Sequence, residues 1–295
     1  QQMCIFDDTL TWQQYFLQAA ITNYENVTAI WQEARLAGFQ LSQEDQDYLD
    51  ELDGQITVAA ASYSYGSADE YLQMAYGPAA TLTSYHAFVE RQITASAYLQ
   101  VLVDEKPYTE DDISKYYDDN ADSYAGNGIE KSDVKMVNVR HILIQPEGKN
   151  DDGTYTDEAW AEAEKKANDL LTEWQNGERT EDSFAFMAAE NSQDPGSVEN
   201  GGLYEDIYPG KMVDEFDAWC FDPARQPGDT GIVKTSYGYH IMYFSSTGEH
   251  AYWYVRAEED YLNELSVSVL QEVAAKFEVT ESEQNAAIVD IMQQN

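Results

Sequence analysis

Val139-Arg140-His141-Ile142-Leu143-Ile144 is an apolar, strand-like run with one histidine set into it. Far downstream, Tyr237-Gly238-Tyr239-His240-Ile241-Met242 repeats the pattern. Between them lie Asn191-Ser192-Gln193-Asp194-Pro195-Gly196-Ser197 and then Asn200-Gly201-Gly202. Turn residues this dense mark a loop. Two strand histidines and a loop aspartate predict one small polar cluster in an apolar cleft. Such a cluster suits a reaction that needs neither a cofactor nor a strong nucleophile.

Around the first strand the elements follow in order. Strand character begins at Val134, and Val137, Val139, His141 and Leu143 alternate onto one face. A helix is predicted from Thr156 to about Asn176, with Trp160, Ala163, Ala167, Leu170 and Trp174 at helical spacing and Gly177 as its stop. A second covers Thr180 to Glu190 and a short third Lys211 to Phe221. Gly231 to Lys234 and His240 to Phe244 read as a closing hairpin. The expected order is β-α-α-α-β-β, a compact α+β domain.

The flanks read as helices. The segment Thr9 to Ala37 carries Trp12, Tyr15, Phe16, Ala19 and Ala20 at helical spacing, and Gly38 can end it. Ser42 with Asp45, and the capping box Ser67-Ala68-Asp69-Glu70, start two more. Leu82, Tyr85, Val89 and Ile93 mark a fourth, and Thr109 with Asp112 opens another. After Gly248, Leu262, Leu265, Val269, Val273 and Phe277 form one apolar helix face. That face needs a partner, and the N-terminal helices need one too. The economical layout is an N-terminal helical domain over 1–125, a linker at 126–132, the α+β domain at 133–247, and a C-terminal helix at 248–295 packing back on the N-terminal domain.

Composition excludes several classes of function. The 295 residues, 43% of them apolar, are enough for two domains with a core. The net charge is −39, so nucleic acid and anionic lipid are repelled, because both are bound through clustered Lys and Arg. No apolar run reaches the roughly 18–20 residues of a membrane helix. The simplest reading of the charge is solubility; the sharper one is attraction for basic partners. Cys4 and Cys220 are too far apart for a metal pattern or a disulfide framework. His86, His141, His240 and His250 make no metal-ligand spacing, so no metal site is expected. The chain opens on Gln1 rather than Met, which leads us to expect an upstream segment.

The middle segment resembles the parvulin family of peptidyl-prolyl cis/trans isomerases. The resemblance rests on VRHILI, NSQDPGS, the glycine pair, Gly210-Lys211-Met212 with Phe216, and VKTSYGYHI, in family order and at family spacing. Flanked by helices on both sides, the segment is further similar in layout to the secretory foldases of the SurA and PrsA kind. The resemblance implies a parvulin domain, a small antiparallel sheet with surrounding helices, inserted into an all-helical chaperone-like domain. It implies a cofactor-free isomerase and foldase acting on unfolded or exported polypeptides, located outside the cytoplasm. A holdase that only binds clients is the alternative.

Residue by residue, the resemblance makes His141 and His240 the paired strand histidines, and Asp194 stands where the family has Cys or Asp. Thr235 joins their polar network, while Met212 and Phe216 floor the proline pocket. The family usually reads Gly-Gly-Asp-Leu-Gly after the loop, but this chain reads Gly201-Gly202-Leu203-Tyr204-Glu205. The pocket leucine therefore falls on Tyr204, and Leu203 fills in only if the backbone shifts. A single strand histidine is most simply a hydrogen-bonded structural residue. It is the pair together with Asp194 that points to a site.

Family members that read phospho-Ser or phospho-Thr before proline do so with a basic cluster after the first strand. Here Gln145 to Gly153 holds Lys149 against Glu147, Asp151 and Asp152. Unphosphorylated Xaa-Pro is therefore the expected substrate.

Overall fold

A computed structural model describes residues 3–6, 9–150 and 153–277. The elements in chain order are α1 (Trp12–Ala37), α2 (Gln43–Ser62), α3 (Ala68–Tyr76), α4 (Leu82–Asp104), α5 (Glu110–Asp119), α6 (Ala121–Gly126), β1 (Lys135–Ile144), α7 (Asp157–Asn176), α8 (Glu181–Asn191), β2 (Leu203–Ile207), α9 (Asp214–Cys220), β3 (Thr230–Thr235), β4 (Gly238–Ala251) and α10 (Tyr252–Ala274). They form two compact units, one of residues 1–109 with 260–295 and one of residues 110–259. Among the described residues, no helix is long and apolar enough to cross a membrane.

The first unit is helical. Thr11 caps α1 by accepting from the Gln14 N–H, and Gly38 closes it in the left-handed region at φ 68°. The helix therefore starts at Trp12, not near Thr9, because the Thr11 hydroxyl takes the orphan N–H of Gln14 in the first turn. Ser67 caps α3 as expected, but the Glu70 carboxylate accepts from the Gly66 N–H rather than from its cap residue, so the box is half closed. The core gathers Ile30 from α1, Ala95 from α4 and Val273 from α10, with Val27, Trp31, Tyr98, Leu99, Leu102 and Phe277 around them. Lys276 pairs with Glu33 and Lys106 with Glu272 across the same helices. Val273 and Phe277 of the expected C-terminal face are thus covered by N-terminal helices. Residues 278–295 of the C-terminal segment lie outside the described residues.

The second unit is built on a four-stranded antiparallel sheet in the order β2-β1-β4-β3. One face carries Ile142, Ile144, Tyr239, Ile241 and Tyr243 beneath α7 and α8, packed on Ala163, Ala167, Trp174, Phe184 and Ala188. The other carries Val137, Val139, Val233, Met242 and Phe244 beneath Phe216 and Cys220 of α9. Each large side chain buried this way contributes roughly 1.5–3 kcal/mol.

Two details depart from the sequence reading. The order is β-α-α-β-α-β-β, because Leu203–Ile207 forms an extra edge strand on β1. The unit border falls between 109 and 110 rather than at the composition shift near 125. There Tyr117 of α5 stacks on Tyr124 of α6 and meets Trp253 edge-on. The Tyr117 hydroxyl also donates to the Ile129 carbonyl. Glycine and asparagine at 126–128 make a turn inside the unit, and β4 runs through Gly248 to Ala251.

Candidate active site

The loop from Ser192 to Gly202 is pinned along β1. The Leu143 N–H donates to the Ser192 hydroxyl, the Gln193 N–H to the Leu143 carbonyl, and the Gln145 N–H to the Gln193 side chain. Arg140 clamps the far end, binding Glu181 at 2.9 Å and the carbonyls of Asn200 and Gly201. Last, the His141 N–H donates to the Gly202 carbonyl at 2.8 Å. Gly202 sits at φ +76°, and a Cβ there would come within 2.3 Å of the His141 carbonyl oxygen. Only glycine allows this approach.

This pinning brings Asp194 under His141. His141 Nε2 lies 3.1 Å from Asp194 Oδ2, and its Nδ1 lies 3.0 Å from His240 Nδ1. His240 Nε2 lies 2.9 Å from the Thr235 hydroxyl. Met212 is half-buried and packs on the Phe216 cluster. The Phe216 ring meets both histidines edge-on, at 5.5 and 5.4 Å. Tyr204 lies flat on His141 at 5.2 Å, and its hydroxyl donates to Asp194 Oδ2 at 3.0 Å. Of the residues singled out from the sequence, only Leu203 stays apart. It pairs with Arg140 on β1, and alternation turns it to the opposite face from Tyr204.

Ser197 is a member that sequence reasoning missed. Its side chain is 1% exposed, donates to Asp194 Oδ2 at 2.6 Å, and lies 3.1 Å from His141 Nε2. Its signal was present in Asp194-Pro195-Gly196-Ser197, since a hydroxyl three residues after a turn aspartate can fold back onto it.

The protonation pattern follows from the partners. Three donors converge on Asp194 Oδ2, and the His141 hydrogen bond, followed by those from Ser197 and Tyr204, outweighs burial and holds the carboxyl well below the usual carboxylate range. An ionised Asp194 only accepts, so His141 carries its proton on Nε2. Its Nδ1 is then the acceptor for a proton on His240 Nδ1, and His240 Nε2 accepts from Thr235. Burial, and then the neighbouring His141, push His240 down to about 4, so it is neutral near pH 7. Burial, and then Asp194, push Tyr204 up to about 12. Tyr204 therefore stays a donor.

The arrangement excludes a serine hydrolase. A triad needs the nucleophilic serine and the aspartate on opposite nitrogens of the histidine ring. Here Ser197 and Asp194 share Nε2, and the serine is buried. All four ring nitrogens of the two histidines are already engaged in the chain. The Cys220 thiol offers no nucleophile either, because burial pushes it up to about 12. Among the described residues no three His, Cys, Asp or Glu side chains are placed to hold a metal.

Residues 127–246 match the family model of the PPIC-type PPIase domain. This segment is a parvulin-type PPIase domain. Over 106 residues the chain is 31% identical to foldase protein PrsA 1 of Listeria innocua, covering 36% of this chain and 29% of that protein. The chain is also 44% identical over 80 residues to foldase protein PrsA of a Geobacillus species, 27% of each chain. Chaperone SurA of Pseudomonas savastanoi is 35% identical over 107 residues, 36% of this chain and 22% of that protein. The chain thus spans under a third of the length of these relatives. A crystal structure of PrsA from Bacillus subtilis aligns over 93% of this chain and 92% of its own, with 19% identity and a TM-score of 0.40.

Proposed function

We propose that the protein is a peptidyl-prolyl cis/trans isomerase that acts on unfolded polypeptides as a foldase. The observation that carries this reading is the closed chain Thr235–His240–His141–Asp194 beneath apolar Phe216 and Met212. All four histidine ring nitrogens in that floor are engaged and the Ser197 hydroxyl is buried, so these residues offer no attacking group. It suits a reaction in which no bond is made to the enzyme.

Rotation about an amide must cross a barrier of about 18–20 kcal/mol set by resonance. At the crest the amide has lost its conjugation, and its nitrogen and oxygen carry less charge than in the planar form. An apolar seat on Phe216 and Met212 disfavours the planar dipole and accepts the twisted one. The histidine chain holds fixed dipoles beneath the prolyl ring without exchanging protons with it. Asp194 and Tyr204 act through His141, which they hold flat and in one tautomer. Polypeptide clients belong to the same reading, supported by the foldase and chaperone names of the relatives, and a place outside the cytoplasm is part of the proposal.

The loop after β1 supports unphosphorylated substrates. Lys149 lies over the Tyr155 ring, and Glu147 is exposed beside it. Asp151 and Asp152 lie outside the described residues. The test is protease-coupled isomerisation of Ala-Pro, Glu-Pro and phospho-Ser-Pro peptides by the full chain and by Met212→Ala. The expected order is Ala-Pro fastest and phospho-Ser-Pro slowest, with Met212→Ala slower throughout. An uncatalysed rate for every peptide sinks the enzyme reading, and a fastest phosphopeptide sinks the charge argument.

A further inference from the structure

The first unit carries a run of tyrosines that the isomerase site does not use. Tyr63 stacks on Tyr71 at 6.0 Å, and Tyr65 meets Tyr71 edge-on at 5.5 Å. Tyr76 lies 5.4 Å from Tyr85. Five tyrosines from α3, α4 and the turn after α2 thus form two ring clusters that share α3, and Tyr48 lies on the neighbouring α2; together they make a tyrosine ribbon. Its rings are open to solvent where a partner would meet them: Tyr63 is 70% exposed, Tyr76 65% and Tyr48 46%. Met74 and Val58 are exposed on the same helices. Core packing does not explain rings this exposed, and a contiguous apolar surface on a soluble domain marks an interaction site.

The charge around the ribbon has one sign. From Leu36 to Glu90 the sequence holds no Lys or Arg. Over α2 and α3 it holds Glu44, Asp45, Asp47, Asp50, Glu51, Asp53, Asp69 and Glu70. The one imidazole on the facing side of α4, His86, is held by Asp53 at 2.9 Å. Tyrosine faces attract cations through the ring quadrupole, and the carboxylates add long-range attraction of the same sense. A second copy of this chain does not fit, because it brings a net charge of −39 against the same sign.

We propose that the tyrosine ribbon on α2, α3 and α4 is a docking surface for extended polypeptide segments rich in Lys and Arg. The proposal rests on the reading of the protein as a foldase for polypeptides, and it adds a class of client that the isomerase site does not select. Each cation sits on a tyrosine face, and the backbone runs along the ribbon. Basic stretches are thereby held on one unit while prolines are processed on the other.

The test is fluorescence anisotropy on the full chain with three labelled peptides of Gly and Ser, carrying Lys, Gln or Glu at every third position. The expected result is binding of the Lys peptide only, weakened about tenfold or more between low and near-molar salt. The Tyr63→Ser/Tyr76→Ser double variant should weaken binding about tenfold, whereas Tyr63→Phe/Tyr76→Phe should retain it. Both variants should isomerise a neutral Ala-Pro tetrapeptide at the parent rate. Equal binding of the Lys and Glu peptides overturns the proposal. So does undiminished binding by the Ser variant, which leaves only diffuse charge attraction. A parent without isomerase activity bears on the proposed function and not on this readout.

Discussion

Gly202→Ala should cost more than any glycine strain alone, and Gly210→Ala provides the measure of that strain. Both residues have positive φ, +76° and +87°, so both variants pay the left-handed penalty of about 1–2 kcal/mol. A Cβ at Gly210 meets nothing within 4 Å. At Gly202 it meets the His141 carbonyl oxygen at 2.3 Å, and ordinary contact begins near 3.4 Å. The loop must then withdraw from β1 by about 1 Å, since the obstacle is backbone and cannot rotate away. That movement breaks the 2.8 Å bond from the His141 N–H, worth about 1 kcal/mol. It also draws Ser197 from His141, because the Gly202 N–H is held to the Ser197 carbonyl. The expected loss is roughly 2–4 kcal/mol for Gly202→Ala against roughly 1–2 for Gly210→Ala. Urea unfolding reads both, and prolyl isomerisation should fall only in the first. Equal losses for the two variants would refute the reasoning.

Three further outcomes are expected. The unfolded chain binds a proton at His240 below about 6.5 and the folded one only below about 4, so stability should fall as pH drops through that window, by on the order of 3 kcal/mol in full. Asp194, whose carboxyl is depressed, extends the loss further into acid; His240→Asn should flatten the upper part of the curve in urea titrations. Tyr204→Phe keeps the ring on His141 but removes one of three donors to Asp194, so the acid limb of the pH–rate profile should move upward; an unmoved limb contradicts a role through Asp194. Val273→Ala should destabilise the first unit by roughly 1–3 kcal/mol in chemical unfolding, because the side chain is 3% exposed against Ile30 and Ala95. By contrast, Lys276→Ala removes an exposed pair worth under about 1 kcal/mol, and a larger loss there would reverse that ranking.

Local signals in the sequence determined a good deal of this protein. Ser42, Ser67, Thr156 and Thr180 cap helices because one hydroxyl satisfies a donor within its own turn, which needs no distant partner. The apolar alternation in VRHILI and GYHIM fixed two central strands, and their histidines fell on one face with them. Asp194 was legible from its turn. What depended on residues far apart in the chain was not. The edge strand Leu203–Ile207 exists only because β1 offers it an unpaired side, so its own composition gave a weak signal. α5 and α6 sort with the second unit through rings on Trp253 that no local pattern announces. Tyr204 read as a pocket wall, but the register that lays it on His141 also aims its hydroxyl at Asp194. The proton order along Asp194, His141, His240 and Thr235 follows only when all four are within about 3 Å of their neighbours, since each tautomer is set by the partner beyond it.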